Sequence, residues 1–300
     1  MGLPPTPVLL GHGAASGETV GFPAWTPHPD VWLVLGLLVA AYVCAAVRLG
    51  PRHATPGRPA VTTFQKVSFG AGVAALWLAS DWPLHDLGEG HLLSVHMVEH
   101  VVEMLVVPPL LLMGTPAWMA RALLRPPRLL RTVRWWARFV PATIAFNVAV
   151  LALHTPLAID VQVSSEGTHL AAHALLLAAS ILMWLPVLSP LPEVPRLSPP
   201  LRMIYLFVQG ILPTVPASFL TFGDTPLYHA YAELPRLWGI SVLDDMRVGG
   251  LIMKIGAGAV LWVVISIVFF RWYAEEQADE PRVPPPPDLD RELQQMGLAR

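Results

Sequence analysis

Cysteine is almost absent from this sequence of 300 residues, which contains only Cys44. A single cysteine excludes an intramolecular disulfide and the CxxC motifs that bind metals or carry redox chemistry. Any soft metal must therefore be bound by histidine, methionine or carboxylate side chains. Charge is also scarce, because only 13% of the residues are charged whereas 54% are hydrophobic. This composition argues against a soluble enzyme and is typical of a polytopic membrane protein.

Long apolar runs dominate the sequence instead. Seven runs of roughly 15–22 residues approach the ~20 residues that cross the hydrocarbon core, and they lie near 31–48, 64–80, 95–113, 139–154, 169–188, 203–222 and 249–270. Since backbone groups in lipid must be hydrogen-bonded within their own segment, these runs predict helices. The expected fold is all-α, a polytopic membrane protein with seven transmembrane helices over residues 31–272. An external segment, 1–30, precedes this domain, and a disordered tail, 273–300, follows it. Pro213 and Pro216 predict a kink in the sixth run.

Lysine and arginine are missing from every second connection between these runs. The segment before the first run, and the connections between runs two and three and between runs four and five, contain neither residue. Because cytoplasmic connections are enriched in both residues, the N-terminus is predicted outside and the C-terminus in the cytoplasm. Arg236 and Arg247, between runs six and seven, are exceptions. The N-terminus lacks the basic start of a cleaved signal peptide. The arginine-rich stretch 121–138 is expected at the cytoplasmic membrane surface, not on nucleic acid.

Histidine is concentrated at the predicted outer face, where all histidines except His53 lie. The third and fifth runs each open with an HxxxH pair, and His154 ends the fourth run at the same depth. Residues four apart share a helix face, so each pair can present two imidazoles to one ion. Histidine suits several transition metals, and nearby thioethers favour copper. The predicted copper ligands are His96, His100, His154, His169 and His173, with Met97, Met104 and Met253 as possible accessory ligands.

The third run also carries two glutamates. His96, Glu99, His100 and Glu103 follow the i, i+3, i+4, i+7 pattern of one helix face. Ionisable groups at membrane depth are costly and are usually functional or paired. Glu99 and Glu103 are therefore possible accessory site residues that require a metal, a proton or Lys254 as partner. A purely structural alternative is that the imidazoles hydrogen-bond across helices.

Three blocks of sequence resemble the CtaG-type cytochrome c oxidase assembly family. The stretch HMVEHVVEMLVVPPLLLMGTP is similar to the H-M-x-x-H…PPL-x-x-x-G-x-P signature of that family, and HTPLAIDVQVSSEGTHLAAHALLLAASILMWLPVL resembles the next block. LDDMRVGGLIMKIGAG is similar to its last block, D-Q-x-x-G-G-L-I-M-W. These blocks span residues 85–272 in the expected order. The resemblance supports the five histidines named above and adds Asp244, Gly249 and Gly250.

This resemblance implies a multi-pass protein of the bacterial plasma (inner) membrane. It implies a factor needed for active haem-copper oxidase, with a part in copper supply. The partners would be the oxidase subunits, an extracytoplasmic copper donor and the lipid bilayer. The sequence departs from the family at three positions: Glu99 replaces the usual Gln, Asp245 replaces the Gln of D-Q, and Lys254 replaces the usual Trp. These departures favour a local variation in which the positive charge of Lys254 compensates the negative charge of Glu99 or Glu103.

Three rival functions fit parts of the sequence. HMVEH also fits the HxxEH pattern of inverted zinc peptidases, in which Glu99 would be the general base and Glu166 a third zinc ligand. Histidines of the third and fifth runs could instead bind haem in an electron carrier. The acidic stripe could lead copper inward through a transporter, although the inner half of that route has few ligands. We expect a copper-binding assembly factor and not an enzyme.

Overall fold

The computed structural model describes residues 21–54, 57, 59–279 and 289–297, and all regular structure within these residues is helical. The predictions for residues 1–20, 280–288 and 298–300 lie outside this range. Three short segments, a 3₁₀ turn at Gly50–Arg52 and π-helical turns at Val102–Val106 and Ile252–Gly256, accompany the α-helices. In chain order the α-helices are α1 (Pro29–Arg48), α2 (Thr63–Ser80), α3 (Leu84–Gly90), α4 (Leu93–Val101), α5 (Val107–Gly114), α6 (Ala117–Leu123), α7 (Pro127–Trp136), α8 (Phe139–Leu153), α9 (Pro156–Ser164), α10 (Glu166–Leu188), α11 (Pro199–Ile211), α12 (Thr214–Phe222), α13 (His229–Glu233), α14 (Val242–Leu251), α15 (Ala257–Asp279) and α16 (Leu289–Gln295).

Several of these helices could cross a membrane. A sixth span is added to five only if α7 and α8, which meet at 81°, are taken together. The predicted second run, 64–80, forms the continuous helix α2 but is not among the spans, because Gln65 and Lys66 in its first turn reduce its apolar character. The all-helical fold is therefore confirmed for the described residues, and five or six helices, against the seven predicted, are long and apolar enough to cross a membrane. The five spans are Pro29–Arg48, Leu93–Gly114, Glu166–Leu188, Pro199–Phe222 and Val242–Ala278.

Proline shapes two of the spans. The predicted kink in the sixth run is confirmed, since α11 ends at Ile211 and α12 begins at Thr214, on either side of Pro213. In the third run, a π turn precedes Pro108 and Pro109 and joins α4 to α5. Pro108 has no N–H for the carbonyl of Met104, four residues earlier. The indole N–H of Trp184 donates to that carbonyl instead, at 3.0 Å. The carbonyl of Met104 therefore keeps a hydrogen-bond partner within the wide turn.

The helix formed by α4 and α5 lies at the centre of the bundle. It packs against α2, α3, α10 and α14. Gly250 permits close packing of α14 on α12, because a Cβ there would lie 2.7 Å from the carbonyl oxygen of Ala217. Asp245 of α14 is buried, and its two oxygens accept hydrogen bonds from the backbone N–H groups of Leu93 and Ser94 at 2.9 Å each. A carboxylate from another helix thus caps the N-terminus of α4, which positions the first histidine of that helix.

The chain beyond residue 272 is more regular than expected. α15 continues to Asp279 and α16 covers Leu289–Gln295, so the described part of the predicted disordered tail is helical. Extension of an established helix adds one hydrogen bond for each residue that is fixed, which makes this continuation inexpensive.

Candidate metal centre

Three histidines from two helices converge at the end of the bundle where α4 and α10 begin, which we call the histidine end. His96 and His100 lie on α4 and His173 lies on α10. One ring nitrogen from each can be chosen so that all three lie within 4.8 Å of one another. His96 and His100 are each 2% exposed. We call these three residues the buried cluster. The structure thus brings together both histidines of the first predicted pair and one of the second.

His154 contacts the buried cluster through a hydrogen bond with His100 and does not add a fourth ligand to it. Its Nδ1 lies 2.7 Å from the carbonyl oxygen of Val150, so Nδ1 must carry the proton and donate it there. Nε2 of His154 is then an acceptor, and Nδ1–H of His100 donates to it at 3.2 Å. This assignment leaves the lone pair on Nε2 of His100, a buried nitrogen without a hydrogen-bond partner among the described residues. The predicted ligand role of His154 is therefore not what the geometry favours.

Carboxylates stand behind the other two imidazoles. Nδ1–H of His173 donates to Glu103 at 2.7 Å, and Nε2 of His173 is buried without a partner in the described chain. Nδ1 of His96 lies 3.1 Å from Oε2 of Glu99. Carboxylate–histidine contacts of this kind fix the tautomer and the orientation of metal-binding imidazoles. A buried nitrogen that lacks a partner is costly in a purely structural network. The arrangement therefore fits a soft or borderline cation better than a hydrogen-bonded core.

A second group of possible ligands lies beside the buried cluster. It consists of His85 and Glu89 on α3 and His169 on α10, and we call it the rim cluster. One ligand atom from each residue lies within 4.8 Å of the other two. Glu89 is the most accessible member, with 34% of its side chain exposed. His169 therefore belongs to a different group from His173, although sequence placed the two together. His85 and Glu89 were missed, yet their i, i+4 spacing was a usable signal.

Charge at the rim cluster is set by contacts among its own members. Burial lowers the pKa of His85, but the close contact with Glu99 and the charges of Glu89, Glu99 and Asp86 outweigh burial and raise this pKa to about 9. Burial raises the pKa of Glu89, but the contact with His169 and the charge of His85 outweigh burial and leave this pKa below its usual range. Without a bound cation, the rim cluster therefore pairs an imidazolium with a carboxylate.

The predicted methionines and acidic residues have mixed positions. Met97, Met104 and Met253 border, together with His100 and His154, a cavity of about 30 Å³. Asp244 does not approach the cluster. It is exposed, accepts from Ser241 at the start of α14 and lies 3.8 Å from Arg247. The resemblance pointed to Asp244, whereas the buried neighbour Asp245 makes the contact with α4.

Lys254 does not pair with Glu99 or Glu103, contrary to the expectation from sequence. Its ammonium lies 5.1 Å from the centroid of the Phe222 ring. Lys254 is part of the second π turn and lines a groove with Thr214 and Ser218, away from the glutamates. Among the described residues, Glu99 and Glu103 form their ion contacts with histidines. In the described chain, the charged partners of Glu99 and Glu103 are therefore histidines and not Lys254.

The segment between α12 and α14 covers the histidine end. Tyr228 donates to the carbonyl of His154 at 2.8 Å, and Tyr231 donates to the carbonyl of Gly88 at 3.0 Å. Arg236 donates to the carbonyl of His91 at 2.7 Å and lies 3.6 Å from Asp245. Arg236, an exception to the charge asymmetry of the loops, is thus a structural residue that ties this cover to α14 and to the connection before α4.

The comparisons with known proteins bear on the family of the chain. No curated protein matched the chain, and no solved structure matched it. The sequence pattern of one family, described as cytochrome c oxidase caa3 assembly factor (Caa3_CtaG), matches residues 40–275. This range includes both histidine pairs, both π turns and all of the clusters described above. The chain therefore belongs to the family of cytochrome c oxidase caa3 assembly factors.

Proposed function

We propose that this protein holds copper in the buried cluster and assists maturation of a copper centre in a haem-copper oxidase of the bacterial plasma membrane. One observation carries the proposal. Three imidazoles from two helices converge, and the second ring nitrogen of His100 and of His173 is buried without a hydrogen-bond partner in the described part of the chain. Membership of an oxidase assembly family supports the choice of client.

Copper is favoured over zinc by the surroundings of the cluster. Three imidazoles suit several transition metals, but thioether neighbours favour copper, above all in its reduced state. Met97, Met104 and Met253 border the same cavity as His100. Met97 is fully buried and Met253 is nearly so. In such a site the residues of this chain bind the ion, hold the imidazoles in one tautomer and exclude water.

Haem binding has less support. Axial ligation by two histidines needs a flat macrocycle between their rings. The ring centroids of His100 and His173 are 5.0 Å apart, and those of His96 and His173 are 5.6 Å apart. The cavities that border the buried cluster hold about 30 and 100 Å³. These dimensions favour a single ion.

A zinc peptidase also has less support. In that mechanism Glu99 would face a metal-bound water, and Glu166 would be a third ligand. In the structure the carboxylate of Glu99 contacts His96 and His85. The residue that joins the two histidines of the HxxEH pattern is His173. Glu166 lies in the exposed first turn of α10. We therefore propose a binding and assembly factor and not a catalyst.

Copper transport is the second candidate function, because polar groups continue below the buried cluster. Asn147 donates to Gln209 at 2.8 Å, and Gln209 donates to Thr143 at 2.8 Å. Gln209 borders the cavity beside His100. These amide and hydroxyl groups are poor ligands for a soft metal. They therefore argue against a continuous path for copper through the protein below the buried cluster.

The proposal includes seven spans, with the N-terminus outside. α2 would be the seventh span, because it packs along α5 and the hydroxyl of Ser68 donates to the carbonyl of Leu110. A reporter fused after Arg128 should be cytoplasmic, and one inserted within residues 86–90 should be external. The opposite pair of results would place the histidine end in the cytoplasm and overturn the proposed route of copper supply.

Metal analysis of the purified full chain tests the function directly. The expected result is stoichiometric copper with no haem absorption in the optical spectrum. A haem spectrum, or zinc in place of copper after loading with both metals, would overturn the proposal. In cells that lack the native protein, the chain should restore oxidase activity most clearly when copper is limiting.

A further inference from the structure

We propose that the rim cluster is a second copper site, through which copper from outside enters before it reaches the buried cluster. This inference rests on the proposed function, because it gives the buried cluster its route of supply. The rim cluster offers two imidazoles and one carboxylate, a set that binds transition metals. Its ligand atoms lie within 4.8 Å of one another, as those of the buried cluster do.

The rim cluster contains a nitrogen that its present contacts do not satisfy. Nε2 of His169 lies 2.6 Å from Oε1 of Glu89, yet it is not aligned for a hydrogen bond and is buried without another partner in the described chain. Nε2 of His85 lies 3.4 Å from the other oxygen of Glu89. The carboxylate thus stands between two imidazoles at ion-pair distances. Such a set can accept a cation after small side-chain rotations.

The two clusters differ in access and share one cavity. Glu89 is 34% exposed at its side chain, whereas His96 and His100 are almost completely buried. A cavity of about 100 Å³ is lined by Glu89 and His169 of the rim cluster and by His96 of the buried cluster. Glu166 also lines this cavity and adds a second carboxylate. An ion bound at the rim therefore has a polar, partly open space that leads to His96.

Adjacent side chains join the clusters. His169 and His173 are one turn apart on α10, with their rings stacked at 4.3 Å between centroids. Glu99 touches both clusters, because Oε1 lies 3.3 Å from Nδ1 of His85 and Oε2 lies 3.1 Å from Nδ1 of His96. Neighbouring ligands at these spacings permit exchange of an ion without release into bulk water.

Charge favours entry of a cation. The carboxylates of Glu89, Glu99 and Glu103 make their ion contacts with histidines, and none with lysine or arginine in the described chain. Three carboxylates face one imidazolium, that of His85, and a cleft of net negative charge concentrates cations and speeds their association. The partly exposed, mixed N,O set at the rim would release its ion more readily than the buried nitrogen set.

The test compares copper loading of the full chain and of three variants, all purified in detergent. Glu89→Gln removes the carboxylate charge while it keeps the shape, and His85→Ala removes one imidazole. His91→Ala is the matched control, since His91 lies at the same end and its ring, among the described residues, hydrogen-bonds only to the carbonyl of Pro235. The wild type and His91→Ala should bind two copper ions for each chain. Glu89→Gln and His85→Ala should bind one, and should load it about tenfold more slowly at the same copper concentration.

The ligand set can be read separately in His100→Ala, which should keep only the rim site. Loaded with copper(II), this variant should show electron paramagnetic resonance from two nitrogen ligands, and the added change His85→Ala should reduce them to one. If the wild type binds one copper ion and loads it equally fast with or without Glu89→Gln, the rim site is refuted while the proposed function stands. If the wild type binds none, both proposals fail.

Discussion

The two ends of the bundle differ in the burial of their ionisable side chains. At the histidine end, Glu99 and Glu103 are buried and face histidines. At the other end, Arg121 meets Glu193 at 2.7 Å, but 54% and 38% of these side chains are exposed. Exposed pairs contribute little to stability, whereas buried ionisable groups carry a desolvation cost that is offset by good geometry or by a bound ion. Burial, and not the amount of charge, therefore distinguishes the candidate site from the arginine-rich surface.

The largest contrast should come from truncation of one residue at each end. His100→Ala removes a ligand from the buried cluster and should abolish stoichiometric copper binding there, as should His173→Ala. Arg121→Ala breaks an exposed pair and should change stability by less than about 1 kcal/mol. Metal analysis and thermal unfolding in detergent measure the two effects. Exposed His229, replaced by alanine, is the matched histidine control. Normal copper content in both cluster variants would place the site elsewhere.

A smaller effect is expected behind the ligands. Glu103→Gln keeps a side chain next to His173 but removes the charge that supports its imidazole at 2.7 Å. Loss of such a supporting partner typically lowers metal affinity by about 10–100-fold. Competition with a copper chelator measures this change, and exposed Glu233→Gln serves as control. An unchanged affinity in Glu103→Gln would indicate that His173 is not a ligand.

Asp245 tests how the fold supports the histidine end. Asp245→Ala removes both acceptors from the first N–H groups of α4 and should cost about 1–2 kcal/mol of stability. Asp244→Ala should cost less, since exposed Asp244 interacts only near the start of its own helix. Thermal unfolding compares the two variants. If Asp244→Ala, and not Asp245→Ala, reduces copper binding, the accessory role that the resemblance suggested for Asp244 is right after all.

The smallest functional effect is expected for Glu99→Gln. The sequence resemblance implies glutamine as the usual residue of the family at this position, and the glutamine oxygen can still accept a hydrogen bond from His96. Oxidase activity in cells should survive, with weaker copper retention. A peptidase would instead lose its general base, at a cost of ~10²–10⁴-fold. Activity at low and at added copper separates these outcomes, and a dead Glu99→Gln variant that inserts normally would count against an assembly factor.

Sequence periodicity predicted helices over the seven apolar runs, and the structure brings together three of the five predicted histidines, namely His96, His100 and His173. It failed where contacts between distant segments decide the outcome. α3 was expected to be a connection, so the i, i+4 pair of His85 and Glu89 was not considered. The role of His154 depends on which nitrogen faces the carbonyl of Val150, and no residue pattern records a tautomer. Asp244 and Asp245 are adjacent, and only the rotation of α14 against α4 decides which one is buried.

The two π turns decide where these helices can lose a residue. Each turn contains one residue more than α-helical winding needs. Deletion of a single residue from the first turn, such as Val106, would restore regular winding and leave α5 facing its present neighbours, α2 and α10. Deletion of a residue beyond the turn, such as Leu110, would instead rotate the residues that follow it by about 100° and turn them away from α2. We therefore expect a deletion within a π turn to be tolerated better than a deletion in the α-helix beside it.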